Sequence, residues 1–145
     1  MFRAVRAGIN MICCYALLLL PALTATKTVF EPSGRYTFYC NSASSQAKIV
    51  ECYAGLAVCY KYFLQDSLTG ESVICARGET AEEVMEKYKA RKLFTETVCG
   101  ITNYYCYTEL LPYETTLCGE KVSLHVAVNE EGVVKAGSPL IFGGY

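Results

Sequence analysis

The stretch Gly34-Arg-Tyr-Thr-Phe-Tyr-Cys40 decides how the fold begins, because aromatic and β-branched residues alternate along it and it ends in a cysteine. This pattern predicts a β-strand over residues 35–40. A cysteine at the end of a strand can tie that strand to another part of the chain once the protein meets an oxidising compartment. The organisation of the domain therefore depends on what Cys40 contacts.

The residues before this strand have the composition of a secretion signal. Two arginines in the first six residues are followed by an apolar run over residues 9–23, and the small residue Ala25 comes shortly after it. We predict a signal peptide over 1–25, cleavage after Ala25, and a single secreted domain over 26–145. A retained membrane anchor is the alternative, but the apolar run is short for a bilayer span, which needs about 20 apolar residues.

Cysteine usage also fits an exported protein. Nine cysteines are present, and Cys13 and Cys14 lie within the signal. The seven that remain predict three bridges and one unpaired thiol. The spacings contain no Cys-x-x-Cys pair and the chain has one histidine, so we expect no metal site, no dithiol redox site and no cofactor. We interpret as disulfide-forming residues Cys40, Cys52, Cys59, Cys75, Cys99, Cys106 and Cys118.

The charge balance limits the class of partner. Loss of the two signal arginines leaves 11 Lys and Arg against 14 Asp and Glu, a net charge of −3 with histidine neutral. Such a chain lacks the overall positive field that drives phosphate binding, although it is compatible with a local basic patch. Lys87, Lys89, Arg91 and Lys92 do cluster, but four glutamates precede them. We interpret the cluster as the basic end of a solvated helix.

Hydrophobic spacing predicts two helices after the first strand. Apolar residues recur at helical spacing over 44–65, and this helix would place Cys52 and Cys59 on one face, two turns apart and too far apart to bond each other. Residues 80–92 predict a second helix, which starts with a capping box formed by a threonine and Glu83.

Strands make up the rest of the predicted fold. β-branched and aromatic residues predict strands at 72–76, 95–99 and 104–111, followed by a hairpin with arms at 121–129 and 133–136. The order of elements predicts an α+β domain, in which an N-terminal strand and a long helix pack on a mostly antiparallel sheet.

This order of elements and several short motifs resemble a known family. The chain combines a secretion signal, the pattern Tyr36-x-Phe38-x-Cys40, a serine-rich turn before a long predicted helix, and the closing stretch His-Val-Ala-Val-Asn-Glu-Glu-Gly-Val-Val over 125–134. These features are similar to those of the ribonuclease-like secreted effectors of powdery mildew fungi. That group carries an aromatic-x-Cys triplet near the mature N-terminus and is similar in fold to small secreted guanyl-specific fungal ribonucleases.

The resemblance covers most of residues 36–137 and implies a disulfide-stapled, ribonuclease-like fold. In the family the first cysteine pairs with the last, and the nearest counterpart here is Cys40 with Cys118. If that bridge forms, Cys40→Ala should cost about 2–5 kcal/mol, as loss of a native disulfide in a small secreted domain usually does.

The resemblance also implies how catalytic positions align. The related enzymes cleave RNA with a glutamate and histidines as general acids and bases, and with an arginine and a tyrosine that stabilise charge at the phosphorus. The arginine of the family's closing strand falls on His125, and the closing histidine falls on Leu140. The secreted chain has no second histidine. We therefore expect an inherited fold without enzymatic activity, and we interpret His125 as a strand residue whose polar atoms are satisfied by neighbours.

Binding is then the predicted function. We expect a secreted virulence effector of a fungal pathogen that engages a host protein, or host RNA without cleaving it, outside or inside host cells, with no membrane or metal partner. Twelve tyrosines suit this role because tyrosine supplies rigid amphipathic contact area. The predicted binding residues are Tyr105, Tyr107 and His125. Alternation places the two tyrosines on one face of a strand and Tyr104 on the other.

An extracellular three-finger, Ly-6-like domain that binds a receptor or acts as a toxin is the alternative function. The cysteine order from Cys52 to Cys118 is similar to the middle of such domains. That fold has no long helix and finishes near its last cysteine, whereas this chain continues beyond Cys118 with a hairpin pattern. An active hydrolase ranks third because neither a nucleophile elbow nor a Cys/His pair is visible.

Overall fold

A computed structural model describes residues 1–143 and contains helices and nine β-strands. The strands are β1 (Arg35–Cys40), β2 (Lys48–Tyr53), β3 (Leu68–Ile74), β4 (Arg91–Val98), β5 (Ile101–Tyr107), β6 (Thr115–Leu117), β7 (Glu120–Val122), β8 (Leu124–Val128) and β9 (Val134–Ser138). The α-helices are α1 (Phe2–Ala25), α2 (Ala57–Leu64) and α3 (Ala81–Lys87), and a short 3₁₀ turn (Ala54–Leu56) leads into α2.

Seven of these strands form one sheet in the order β2-β1-β3-β9-β8-β5-β4, and each neighbouring pair is antiparallel. The last strand, β9, lies between β3 and β8. It thereby joins an N-terminal group of strands to a C-terminal group. The strands β6 and β7 pair as a separate short ribbon. This architecture confirms the predicted α+β class with a mostly antiparallel sheet.

Alternation along the strands gives the sheet two different faces. On the helix face, Tyr36, Phe38 and Val126 pack with Ala57 of α2 and Val84 of α3 into the hydrophobic core. The opposite face, which we call the tail face, is partly covered by residues 139–142 after β9. There the Phe142 ring meets the Tyr39 ring edge-on, with centroids 5.3 Å apart.

Several predicted elements are confirmed. The strand predicted at 35–40 is β1. The capping box of α3 is present, because the Glu83 backbone N–H donates to Thr80 Oγ1 at 3.2 Å and the Thr80 N–H donates to the Glu83 carboxylate at 2.8 Å. The helix ends at Lys87 rather than at 92, since Lys89 turns the chain with a φ of 49° and β4 follows at once.

The predicted strands near the middle of the chain exist with shifted bounds, as β3, β4 and β5. The closing hairpin is confirmed as β8 and β9, with Val126 opposite Ala136. Its first arm is interrupted at Ser123, whose backbone N–H donates to the carbonyl of Cys106 and whose hydroxyl donates to the carbonyl of Thr108. This interruption separates β7 from β8.

The long helix predicted over residues 44–65 is wrong. Its first half contains β2, which pairs with β1 from Arg35 opposite Tyr53 to Cys40 opposite Lys48. The helix that follows, α2, has only 8 residues. The β-branched pair Ile49-Val50 fits a pleated strand, and pairing with β1 outweighs the helical spacing of the apolar residues. Consequently Cys52 lies on a strand and Cys59 on a helix, not on one helix face.

The N-terminal helix α1 runs without a break through Pro21 and buries none of its side chains. With 24 residues it is longer than the apolar run 9–23, and it is long and apolar enough to cross a membrane. A signal sequence has the same composition and position. Since no side chain of α1 is buried, its removal takes nothing from the core of the domain.

No disulfide is present among the cysteines of the structure. Cys40 is buried on the helix face, whereas Cys118 is exposed at the turn of the β6–β7 ribbon, so the bridge implied between them is not formed. Cys106 lies on β5, four strands away from β1. At the usual strand spacing this is about 19 Å from Cys40, well beyond the ~7 Å Cα separation that a disulfide allows. The others range from buried (Cys52) through half-buried (Cys59, Cys75) to exposed (Cys99).

The architecture also departs from the three-finger alternative. After Cys118 the chain forms β7, β8 and β9, and the last two complete the main sheet. Side chains of α2 and α3 are part of the core of that sheet. The strands after Cys118 depart from that alternative, which finishes near its last cysteine. The helices do not, because α2 and α3 have only 8 and 7 residues and the predicted long helix is not formed.

Candidate functional site

Two of the predicted binding residues, Tyr105 and His125, lie side by side on the tail face, where strand register pairs them. The Tyr105 ring stacks between the Phe94 ring and the His125 imidazole, with centroid distances of 4.7 and 4.6 Å and interplanar angles of 25° and 22°. We call these three residues the aromatic ladder. Because the rings stack on one another, both faces of Tyr105 are already occupied.

Both ring nitrogens of His125 are used inside the protein. The backbone N–H of Ile141 donates to Nδ1 at 3.2 Å, so the ring proton must lie on Nε2, which donates to the Asn103 Oδ1 at 2.9 Å. The Asn103 amide in turn donates to the carbonyl of Ile101 and so directs its oxygen toward the ring. His125 is only 6% exposed. It is a strand residue satisfied by its neighbours, in agreement with the sequence-based interpretation.

Burial sets the protonation state of His125. It lowers the pKa of the imidazole to about 4, and the nearby Lys135 ammonium acts in the same direction. The ring is therefore neutral at neutral pH. A general base must reach a substrate proton with a free nitrogen, and a general acid must carry a labile proton near the working pH. In this arrangement His125 offers neither.

The position that aligns with the family's closing histidine lies beside His125. Gly137 is directly opposite His125 in the sheet. The segment after β9 passes so close to Gly137 that a Cβ on this glycine would lie 2.6 Å from Ile141 Cγ1 and 3.1 Å from the backbone of Leu140. Sequence-aligned positions 125 and 140 are thus neighbours in space. One carries a neutral, fully bonded imidazole and the other an aliphatic chain.

The third predicted residue, Tyr107, lies at the end of β5 and is half-buried. It lies directly opposite Arg91 of the neighbouring strand β4. The predicted alternation is confirmed next to it, because Tyr104 packs against the core of the helix face while Tyr105 belongs to the ladder on the tail face. The Lys92 ammonium lies 5.8 Å from the centroid of the Tyr104 ring. Two cations of β4, Arg91 and Lys92, therefore lie beside this end of β5.

Sequence analysis missed a charged group in the core of the helix face. Glu71 of β3 is 0% exposed. Its carboxylate accepts hydrogen bonds from the backbone N–H of Val29 at 2.9 Å, the Tyr36 hydroxyl at 2.5 Å and the Tyr113 hydroxyl at 3.3 Å. The Lys61 ammonium of α2 lies 2.5 Å from Glu71 Oε1, the oxygen that also accepts the hydrogen bond from Tyr113. We call this set the Glu71 network.

The Glu71 network ties four parts of the chain together. Burial and the carboxylate both raise the pKa values of Tyr36 and Tyr113, so both phenols remain neutral donors. Val29 brings in the segment before β1, and Lys61 brings in α2. Since the carboxylate has no solvent exposure, we assign the network to stability rather than to chemistry. The only sequence signal for it is a glutamate within the stretch Leu-Thr-Gly-Glu-Ser-Val-Ile that forms β3, and that signal does not reveal its partners.

The structure also contains a cleft of about 500 Å³ between the segment before β1 and α3. Buried Val73 and Val84 line it, and the Glu31–Lys87 ion pair, at 3.1 Å, lies at its rim. Cys75 also lines the cleft, but burial and the neighbouring Glu79 raise the pKa of its thiol to about 12. It is therefore not an activated nucleophile. Within residues 1–143, no group of three or more metal-ligating side chains comes together.

A cluster of exposed apolar side chains lies beside β2 and α2. Its members are Tyr53, Leu56, Tyr60 and Phe63, which are between 40% and 76% exposed. A groove of about 280 Å³ lies next to three of them, with Cys52 in its lining. This cluster holds more exposed aromatic surface than the predicted tyrosine site at 105 and 107, where both rings are half-buried.

Comparison of the chain with models of known protein families, with curated proteins and with solved structures gives no match.

Proposed function

We propose that this chain is a secreted fungal effector with a catalytically inactive, ribonuclease-like domain that acts by binding a host protein. The observation that carries the proposal is the state of His125, the only histidine of the chain. Both of its nitrogens are engaged, by Ile141 and Asn103, and burial keeps the ring neutral. An acid–base nuclease needs such a group free and titrating near the working pH.

The ribonuclease-like ancestry is part of the proposal. It is supported by the closing hairpin and the residues after it, which bring together positions 125 and 140. The resemblance aligns these positions with the family's arginine and closing histidine, and this chain has His125 and Leu140 there. Disulfide stapling in the secreted protein belongs to the same proposal. The strand order places Cys40 and Cys106 too far apart to bond each other, so bridges must join other combinations of cysteines.

A protein partner is favoured over RNA by two features. The secreted chain carries a net charge of −3, which opposes a polyanion except where cations cluster. The aromatic ladder does not offer a platform for bases, because Tyr105 is already stacked on both sides.

The deciding experiment is a ribonuclease assay on the chain that begins at Thr26, alongside its His125→Ala variant. We expect the two proteins to give the same background cleavage, because each lost acid–base partner removes about 10²–10⁴ in rate. Circular dichroism and thermal unfolding check that both proteins are folded. Guanyl-specific cleavage that disappears in His125→Ala would show that the domain is a working enzyme.

Secretion is tested separately by N-terminal sequencing of the exported protein. The apolar helix α1, which buries nothing, supports cleavage near Ala25. We expect the mature chain to start at or near Thr26. A secreted sample that retains residues before Leu20 would contradict a cleaved signal.

A further inference from the structure

The main sheet has two open edges, and they differ in charge. One edge is β2 and the other is β4, which has 8 residues and pairs only with β5. An edge strand presents a row of unpaired N–H and C=O groups that can accept another extended segment. The charge on each edge then selects which segment can approach.

Positive charge is concentrated where β4 begins. Lys89, Arg91 and Lys92 are all exposed there. Within residues 1–143 the ion pairs use Arg35, Lys61, Lys87 and Lys121, and none uses these three cations. On the secreted chain, whose net charge is −3, this is a local reversal of sign. Tyr107, opposite Arg91, adds amphipathic surface at the same place.

The β2 edge has no such excess. Its Glu51 pairs with Arg35 of the neighbouring strand, with 3.5 Å between the charged atoms. The remaining charge on the strand is Lys48. Mixed charge of this kind discourages strand addition at an edge. On β4 the cations outnumber its one carboxylate, Glu96, which lies near the Tyr105 hydroxyl further along the strand, so the start of β4 favours an acidic segment.

We propose that the β4 edge binds an acidic, extended segment of the partner protein, which adds a strand to the sheet next to β4. This inference rests on the proposed function, since it locates the contact by which a host protein is held. Backbone groups of β4 provide the strand pairing, and Lys89, Arg91 and Lys92 provide the charge selection. RNA fits this edge less well, because a sugar–phosphate chain cannot pair with a strand backbone and the ladder rings are already stacked.

The test uses the chain that begins at Thr26 and the peptide acetyl-(Glu-Val)₄-amide, whose length matches the 8 residues of β4. We expect amide chemical-shift changes and slowed amide exchange along β4 in NMR titrations. The double variant Arg91→Glu/Lys92→Glu should weaken binding at least about tenfold, since it reverses two charges at the rim. The matched control Arg35→Glu/Lys48→Glu, at the β2 edge, should bind as the parent does.

A second probe separates strand pairing from simple charge attraction. The same peptide with an N-methyl group on every residue keeps its charge but loses the backbone donors along both edges, and we expect it not to bind. Shifts that map to β2 or α2, binding that survives the β4 reversal, or tighter binding of single-stranded polyuridylate would overturn the inference. Absence of peptide binding in a protein without nuclease activity overturns this inference alone, whereas nuclease activity overturns the proposed function.

Discussion

Glu71 and His125 are buried in the same sheet but on opposite faces, and they are kept there by opposite means. Glu71 on the helix face receives the Lys61 ammonium and hydrogen bonds from three neutral donors. His125 on the tail face is held neutral by burial and by one donor and one acceptor. The comparison teaches that the helix face stabilises the Glu71 charge by bringing an opposite charge to it, while the tail face keeps the His125 imidazole uncharged.

The strongest test of this comparison removes the charge of Glu71. We expect Glu71→Gln to lower the free energy of unfolding by about 3–5 kcal/mol, because the Lys61 ammonium, whose side chain is only 15% exposed, would lose its partner. Urea unfolding followed by circular dichroism measures the loss. The double variant Glu71→Gln/Lys61→Met should recover part of it, since no unpaired charge remains. A double variant that is less stable than Glu71→Gln alone would contradict this account.

The tail face should respond to pH instead. The pKa of His125 is about 4 in the folded protein, below its ordinary value of 6.5, so the unfolded chain binds more protons between these values. Stability should therefore fall as the pH drops from 6.5 toward 4, by about 1.4 kcal/mol per pH unit at the steepest.

The measurement compares urea unfolding of the parent and of His125→Gln at several values in this range. Carboxylates titrate in both proteins, so the difference between the two slopes reports the imidazole. We expect the shallower slope in the variant. Equal slopes would mean that His125 is not kept neutral by the fold.

A smaller effect is expected from the aromatic ladder. Tyr105→Leu keeps an apolar side chain but loses stacking on Phe94 and on His125, and should cost about 1–2 kcal/mol. Tyr105→Phe keeps both stacks and loses only the long 3.5 Å contact with Glu96, so it should change stability by less than about 0.5 kcal/mol. Thermal unfolding of the pair distinguishes them. Similar losses in both variants would assign the stability to the hydroxyl.

The smallest effect is expected at the exposed apolar cluster. Phe63 is 76% exposed, so Phe63→Ser should change the free energy of unfolding by no more than about 0.5 kcal/mol. The same urea unfolding serves as the measurement. A loss of more than about 1 kcal/mol would place Phe63 in the folding core and remove it from the candidate surfaces.

Local signals predicted the elements whose stability is local. The alternation over 35–40 predicted β1, and the threonine-to-glutamate spacing predicted the capping box of α3. The helical spacing over 44–65 failed, because the Ile49-Val50 pair lies where β1 needs an antiparallel neighbour. Pairing with a distant strand is a tertiary effect, and periodicity over a short window does not contain it.

The candidate site follows the same division. The sequence predicted that His125 is a strand residue whose polar atoms are satisfied by neighbours, and its hydrogen bonds to Ile141 and Asn103 agree with this. The lack of acid–base catalysis stays a prediction. The hydrogen-bond partners of His125 were not predictable, because Ile141 reaches the ring only when residues 139–142 fold back over the sheet. The Glu71 network depends equally on contacts between distant elements, among them a backbone N–H 42 residues away. Such groupings are set by topology, which a pattern of residue types does not specify.

The position of β9 has a consequence for how the chain is made. It follows all the other described strands along the chain, yet it lies between β3 and β8. Before it emerges, the strands made earlier have no neighbour at the middle of the sheet, and each group exposes an open edge there. The two groups can therefore join only after β9 has emerged, and contacts of long sequence separation form late and slowly. A truncation within 134–138 should leave two separate groups of strands, β2-β1-β3 and β8-β5-β4, each with an open edge that promotes aggregation.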